Sequence, residues 1–248
     1  MSNKSNNNGA NCKMVWVAAV GLVLVAAIVI WAASGGGTGP DTPDTTAPGP
    51  TDQMTLSVDM VDMDHDLGNG MKIINAGAYT GIFMEDGTDD IVTGILMLVV
   101  ENTGTNAVQY AEITLPTENG DARFTLSTLP AGESVVLLEQ NRMSCTGKED
   151  VSAAWAANVA VFSEPLRTHE DKLKLQIMDG AINVTNISGE DIAGDVVLYY
   201  KNASSDLLYG GITYRVRIEG GIKTDEIKQI TGGHFSGDGS RIMFVTVG

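Results

Sequence analysis

Residues 91–138 read IVTGILMLVVENTGTNAVQYAEITLPTENGDARFTLSTLPAGESVVLL, and this stretch decides the fold. Its apolar residues come in short runs rich in β-branched side chains, and Gly, Asn, Asp and Pro separate the runs. The runs predict four strands, which are Ile91–Val100, Val108–Leu115, Phe124–Leu129 and Val135–Leu138. Short strands at regular spacing with such turns are typical of an antiparallel β-sandwich.

The strand pattern continues on both sides of this stretch. Apolar residues alternate with polar ones from about residue 54, a further strand is predicted over Val159–Phe162, and a second series follows a polar break at 163–171. The second series comprises Leu173–Met178, Ala181–Thr185, Ile192–Lys201, Gly211–Ile218, Asp225–Ile230 and Ile242–Val247. Met71–Met84 is consistent with two short strands or a loop, and Glu149–Asn158 predicts a short helix. We therefore predict an all-β fold with two antiparallel β-sandwich domains, 54–165 and 172–248.

The two series resemble each other. VVENTGTNA at 99–107 is similar to YYKNASSDL at 199–207, and LPAGESVVLLEQ at 129–140 is similar to GSRIMFVTV at 239–247. The turn 129–134 before Val135–Leu138 resembles the strand-entry turn of immunoglobulin-like CARDB repeats. Residues 183–202 resemble the FxLYD family, with Leu198-Tyr199-Tyr200 in place of its hallmark. The resemblance implies immunoglobulin-like domains in a membrane-anchored bacterial surface protein, and it transfers no catalytic residue.

An apolar segment, Met14–Ala33, precedes the β-rich part. Its 20 residues, MVWVAAVGLVLVAAIVIWAA, contain no charge and no proline. As a helix they would span about 30 Å, the thickness of the hydrocarbon core of a bilayer. We therefore predict a single transmembrane helix that anchors the chain in the cell membrane. A cleavable signal peptide, cut after Ser34, is the alternative.

Charge around this segment predicts the orientation of the chain. Residues 1–13 contain Lys4 and Lys13 and no acid, and after the segment no Lys or Arg occurs before Lys72. The positive-inside rule then predicts a cytoplasmic tail at 1–13 and extracytoplasmic domains. Residues 34–53, rich in Gly, Pro, Thr and Asp, predict an extended linker between membrane and domains. Cys12 and Cys145 would lie on opposite sides of the membrane, so the domains would fold without disulfides.

The composition restricts the partners of the chain. Its formal net charge is −16, from 31 acidic and 15 basic residues. Such an acidic chain argues against binding to nucleic acid, whose affinity for proteins depends on cationic contacts to phosphates. The predicted partners are the membrane, through Met14–Ala33, and a protein or a cell-wall glycan.

One acidic stretch is a candidate metal site. Asp62, Asp64 and Asp66 occur at alternate positions, which would present three carboxylates to a hard cation such as Ca²⁺. The spacing does not fit an EF-hand loop, because Ile73 stands where a bidentate glutamate is needed. The alternative interpretation is a solvated strand end whose charges discourage edge pairing.

The sequence predicts no catalytic residues and no cofactor beyond this calcium candidate. The three histidines, His65, His169 and His234, stand in separate segments without ligand-spaced partners, and His234-Phe235 is predicted to be an exposed loop. We expect a non-catalytic binding or scaffold module at the cell envelope. The alternatives are a sensor or accessory subunit of an envelope complex, and an envelope hydrolase.

Overall fold

β-Strands dominate the computed structural model, which describes residues 55–56, 61–145, 150–204 and 206–248. The first eight strands are β1 Thr55–Leu56, β2 Val61–Gly68, β3 Met71–Ile82, β4 Ile91–Asn102, β5 Val108–Thr117, β6 Gly120–Leu129, β7 Ser134–Leu138 and β8 Trp155–Val161. The remaining six are β9 Leu173–Met178, β10 Ala181–Asn186, β11 Val196–Ala203, β12 Leu207–Ile218, β13 Ile227–Thr231 and β14 Ser240–Val247. The predicted all-β class is confirmed.

The strands form three sheets. The largest has eight strands in the order β1-β3-β4-β7-β12-β11-β14, with β2 also paired to β3. The two others have the orders β6-β5-β8 and β13-β10-β9. The described strand pairs are antiparallel, except that β7 and β12 pair in parallel over three residues. Several packed sheets of this kind are compatible with a β-sandwich.

One core lies between β3-β4-β7 and β6-β5. Leu96, Leu98 and Val100 of β4 belong to one buried cluster with Ile113 of β5 and Phe124 of β6. The intervening residues of β4 belong to a second cluster on the opposite face of the sheet. A strand that is buried on both faces needs apolar side chains at successive positions, which explains the unbroken run in Ile91–Asn102.

A separate core lies between β9-β10 and β11-β14. Ile182 and Val184 of β10 cluster with Leu198 of β11 and Val245 of β14, and all four side chains are buried. The alternate polar residues of these strands, such as Asn183 and Tyr199, are partly exposed. The period of two that predicted these strands is therefore the signature of one buried face on each.

The pairing pattern is repeated within the chain. The order β3-β4-β7 is repeated by β9-β10-β13. The order β6-β5-β8 is repeated by β12-β11-β14. Each strand from β3 to β8 therefore has an equivalent six strands later in the chain. We call β3–β8 the first repeat and β9–β14 the second repeat. Strands β1 and β2 are additions to the edge of the first repeat.

A buried asparagine marks equivalent positions in the two repeats. Asn102 ends β4, and its Nδ2 donates to the carbonyl oxygens of Asn106 and Leu129, both at 2.9 Å. Asn186 ends β10, and its Nδ2 donates to those of Glu190 at 2.7 Å and Ile222 at 2.9 Å. Each amide side chain thus joins the turn after its own strand to a distant segment.

This equivalence corrects the internal similarity predicted from the sequence. Asn102 corresponds to Asn186 and not to Asn202, which lies within β11. Likewise, Gly132 and Asp225 are equivalent, because their N–H groups donate to the carbonyl oxygens of Asn102 and Asn186. The wrong correspondence arose because a strand followed by a polar turn recurs often in any β protein.

Three local predictions also differ from the structure. Met71–Met84 is mainly one strand, Met71–Ile82, which is paired along most of its length with β4. The predicted helix is wrong, because residues 151–153 form only a 3₁₀ turn, which the Asp150 side chain caps, and β8 follows at Trp155. Phe235 is buried, not exposed, because it contacts the ring of Tyr200 edge-on.

The division into domains 54–165 and 172–248 stays a prediction. The described residues fall into one compact unit, in which β7 and β12 join the sheets of the two repeats. The described ranges contain no helix with the length and apolarity needed to cross a membrane. The predicted tail at 1–13, the predicted membrane helix at 14–33 and the linker at 34–53 lie outside the described residues.

Candidate functional site

The two repeats meet at a β-bulge in β12. The N-terminal part of this strand pairs in parallel with β7, with Leu208 opposite Val135. On its other side the strand pairs with β11, with Leu208 opposite Ala203 and Val216 opposite Leu198, and the register shifts between Tyr209 and Tyr214. Between them Gly210 has a positive φ of 80°, a conformation that glycine adopts at little cost. We call residues 209–214, with the groups bonded to them, the junction.

Gly211 allows the backbones of the two repeats to touch at the junction. A Cβ atom on Gly211 would lie 1.7 Å from the carbonyl oxygen of Thr125 in β6. The same contact is reinforced by Ser127, whose Oγ donates to the carbonyl oxygen of Gly211 at 2.7 Å. The junction therefore requires glycine at 211 and joins β6 of the first repeat to β12 of the second.

Two charged side chains form hydrogen bonds with the backbone of the bulge in β12. Glu85, in the loop after β3, accepts hydrogen bonds from the N–H groups of Leu138 at 2.9 Å and Gly211 at 2.8 Å. The fully buried Lys201 of β11 donates through Nζ to the carbonyl oxygens of Gly210 at 2.7 Å and Ile212 at 2.8 Å. The N–H and carbonyl groups of residues 210–212 need these partners, because a buried polar group without a hydrogen bond is costly.

Burial perturbs the titration of both charged groups. Desolvation raises the pKa of Glu85 to about 7, although the two backbone N–H groups and the charge of Lys201 act against it. Desolvation lowers the pKa of Lys201 to about 7, and the charge of Glu85 opposes that shift. The two shifts have the same physical cause, which is the removal of each charge from water.

A second polar contact joins the same loop to the second repeat. Oδ1 of Asp89 lies 3.0 Å from Nδ1 of His234. The His234 ring stacks on the ring of Tyr214, with the ring centroids 5.0 Å apart. Tyr214 in turn stacks on Tyr200. The acidic loop 85–90, which the sequence marks only as a turn, is thus a docking element between the repeats.

The raised pKa of Glu85 predicts a pH-dependent stability that Glu85→Gln removes. The native state holds the Glu85 proton more tightly than the unfolded chain, whose carboxyl titrates near 4.5. Its contribution is therefore fully present below pH 4.5 and is lost as the pH rises through about 7, by up to about 1.4 kcal/mol per pH unit. The lowered pKa of Lys201 acts in the opposite sense, because stability rises as the pH passes about 7, so the comparison is read below that pH.

Urea unfolding of the full chain in detergent, repeated across this pH range, measures the effect. We expect the wild-type free energy of unfolding to fall more steeply with pH than that of the Glu85→Gln variant. Glu118→Gln, in the exposed turn before β6, is the matched control and should follow the wild type. Parallel profiles for wild type and Glu85→Gln would contradict the assignment.

The predicted calcium ligands lie on β2 and have separate partners. Asp62 accepts a hydrogen bond from Asn75 at 3.3 Å, and Asp64 pairs with Lys72 at 2.6 Å. Asp66 accepts the N–H of Gly68 at 2.8 Å. No group of three His, Cys, Asp or Glu side chains suited to a metal ion is found within the described ranges. The calcium site stays a prediction.

The histidines serve separate contacts as well. His65 of β2 lies with Nε2 2.8 Å from the carbonyl oxygen of Ala154, before β8. His169 lies in the polar break, where its carbonyl oxygen accepts the N–H of Leu173 at 2.7 Å. His234 belongs to the junction contact with Asp89. The structure therefore does not bring the three together.

A groove of about 440 Å³ lies at the edge of the second repeat, between β9 and β14. The groove has an apolar lining from Leu173, Leu175, Ile177, Ile187 and Ile242. Its charged lining residues are the basic Lys174 and Arg241 and the acidic Glu170. Ile177 is 42% exposed and Ile187 46%, which is unusual for isoleucine. We call this feature the edge groove.

Both sheets end beside the edge groove. β9 is the last strand in the order β13-β10-β9, and β14 is the last in the order that runs from β12 through β11. The β14 edge is partly bonded already, because the N–H of Val245 donates to the carbonyl oxygen of Arg167 at 2.8 Å. Edge strands carry unpaired backbone N–H and C=O groups that can pair with another strand. The sequence does not reveal this groove, because the alternation of apolar residues in Leu173–Met178 is the same whether or not another strand covers them.

Comparisons with known proteins add no assignment. The sequence matches no family model and no curated protein, and the fold matches no solved structure.

Proposed function

We propose that this chain is a non-catalytic binding and scaffold module at the cell envelope, held at the membrane by Met14–Ala33. Its two repeats would be immunoglobulin-like β-sandwiches outside the cytoplasm. The observation that carries the proposal is the edge groove, since exposed isoleucines beside the edge strand β9 are typical of a surface that a partner covers.

The junction supports the scaffold part of the proposal. Gly211 and Ser127 bring the backbones of the repeats into contact, and Glu85 bonds β7 to β12. A scaffold must hold its binding surfaces at constant spacing, and direct backbone contact limits relative motion more than a flexible linker does. The two repeats would therefore act as one rigid unit.

The proposed location rests on the sequence. The 20-residue apolar segment is long enough to span a bilayer, and the basic tail precedes it. The linker that follows, with its glycines and prolines, would hold the repeats away from the lipid surface. An anchored module with an exposed groove suits recognition of another envelope protein or a wall glycan.

Crosslinking in intact cells tests the proposal through one substitution in the edge groove. Ile177→Asp places an unpaired charge where the partner would bury an apolar side chain, so we expect recovery of the crosslinked partner to fall about tenfold or more. Ile227→Asp is the matched control, because Ile227 is 64% exposed on β13, at the opposite edge of the same sheet. It should leave recovery unchanged.

Two further readouts complete the test. Protease added to the same cells should digest the repeats, and protection of the C-terminal part would contradict the proposed location. A stable partner of fixed stoichiometry would favour the accessory-subunit alternative over a free-standing module. Hydrolytic turnover by the purified chain, if it is lost in His65→Ala or His234→Ala, would contradict the non-catalytic assignment. Equal recovery of the partner with Ile177→Asp and Ile227→Asp would contradict the edge groove as the binding surface.

A further inference from the structure

We propose that the edge groove binds an extended strand of a partner protein, in which apolar residues alternate with acidic ones, and that this strand pairs with β9. The proposal rests on the binding function proposed above and identifies the class of partner. Strand β2 is its template, because β2 adds to the equivalent edge of the first repeat.

The two edges are equivalent residue by residue. In the first repeat Met71 pairs with the buried Asn102, and Lys72 and Ile73 follow. In the second repeat Leu173 pairs with the buried Asn186, and Lys174 and Leu175 follow. These paired triplets, Met-Lys-Ile and Leu-Lys-Leu, therefore hold the same place in the two repeats.

In the first repeat this edge is covered. β2 pairs antiparallel with β3, and its Leu67 and Met63 pack against the core of the repeat. His65 of β2 reaches across to the carbonyl oxygen of Ala154 at 2.8 Å. The gap between the third and eighth strands of the chain is thus closed by an added strand.

In the second repeat the same gap is the edge groove. Along β9, exposure rises from 1% at Leu173 to 42% at Ile177, so the core becomes uncovered toward the end of the strand. Within the described parts of the chain, β10 is the one strand that pairs with β9. The groove therefore lacks what β2 supplies in the first repeat, which is a strand with apolar side chains at alternate positions.

The backbone of β9 is oriented to accept such a strand. The N–H of Leu173 bonds to the carbonyl oxygen of His169, outside the ladder with β10. In an antiparallel ladder every second residue turns its N–H and C=O to the same side, so those of Leu175 and Ile177 point to the open edge. These are the groups that an added strand would bond.

Charge defines the chemistry of the partner. Lys72 pairs with Asp64 of β2 at 2.6 Å. Lys174 occupies the equivalent position and is exposed. Glu170 lines the same groove, but the described residues form no ion pair with Lys174. An acidic residue of the added strand would take the place of Asp64. A second copy of this chain suits the groove less well, because β9 against β9 would bring a second Lys174 to the same edge.

The experiment uses a peptide with the sequence of β2, VDMDHDLG, and the full chain in detergent. Binding is followed by hydrogen exchange of the backbone amides in 173–178. We expect the peptide to slow exchange there, and the scrambled peptide DDDVMLHG, which lacks the alternation, to have no effect. Protection by both peptides alike, or by neither, would overturn the proposal.

A charge reversal tests the role of Lys174. Lys174→Glu should weaken binding of VDMDHDLG about threefold to fivefold, as expected for one exposed ion pair, and VDMKHDLG should regain that loss. Lys228→Glu on β13, the opposite edge of the sheet, is the control and should leave binding unchanged. Equal binding of both peptides to both variants would overturn the charge assignment.

Two other results would overturn the inference but leave the proposed function standing. One is a crosslinked partner that is lost with Ile177→Asp but proves to be a glycan. The other is self-association of the chain through β9, seen as a dimer that Ile177→Asp dissociates. If recovery of the crosslinked partner did not change with Ile177→Asp, the proposed function itself would be contradicted.

Discussion

Gly211→Ala is expected to lower the free energy of unfolding by about 3 kcal/mol or more. The added Cβ would lie 1.7 Å from the carbonyl oxygen of Thr125 and 3.0 Å from Oε2 of Glu85. The first neighbour is backbone of a paired strand, so no rotamer change can relieve the overlap. Strands β6 and β12 must separate, and the hydrogen bonds of Ser127 and Glu85 to Gly211 are then lost.

Gly233→Ala is the matched control for this substitution. A Cβ at Gly233 meets no atom within 4 Å, so that variant should stay within about 0.5 kcal/mol of the wild type. Urea unfolding measures both variants, and limited proteolysis of the polar break at 163–171 reports separation of the repeats. A Gly211→Ala protein as stable and as resistant as the wild type would show that the backbones do not touch.

The second large effect concerns the buried asparagines. Asn102→Ala and Asn186→Ala should each cost about 3 kcal/mol, because each removes the partner of one buried carbonyl oxygen, one part-buried carbonyl oxygen and one backbone N–H. For Asn102 that N–H belongs to Gly104, at 3.0 Å from Oδ1, and for Asn186 it belongs to Ser188, also at 3.0 Å. Both side chains are almost fully buried.

Asp in place of Asn separates the hydrogen-bond role from the role of volume. Asn102→Asp keeps the shape but turns a carboxylate oxygen toward the carbonyl oxygens of Asn106 and Leu129. We expect it to destabilise the chain more than Asn102→Ala does, because a buried charge would face two acceptors. Asn119→Ala, at an exposed turn, is the control and should have little effect. An Asp variant as stable as the wild type would refute the donor assignment.

The sequence predicted the strands well where one face of each is buried. Leu173–Met178 has the predicted bounds, and the other predicted strands overlap the observed ones, most with ends a few residues away. These strands follow from the local alternation of apolar and polar residues, which can be recognised in the sequence without knowing what packs against them. Glu149–Asn158 was misread for the same reason, because its few residues carry no clear period.

The junction could not be predicted, because each of its contacts joins residues far apart in the chain. Glu85 and Gly211 are 126 positions apart, and Ser127 and Gly211 are 84 apart. In sequence, Gly211 is only the first residue of one predicted strand and Lys201 only the last residue of another. Only the approach of β6 to β12 makes glycine necessary and buries the lysine.

By itself, then, the sequence determined the all-β class, the positions of most strands and an apolar segment of membrane-spanning length, since each of these follows from the local order of apolar, polar and turn residues. Tertiary structure alone decided that the strands form two equivalent repeats, that these share a sheet, and that the edge covered by β2 in one repeat is open in the other. The physical reason is that burial depends on what lies opposite a side chain. Leu175 and Ile73 each pair with one strand of their sheet, but only Ile73 has a second strand, β2, on its other side.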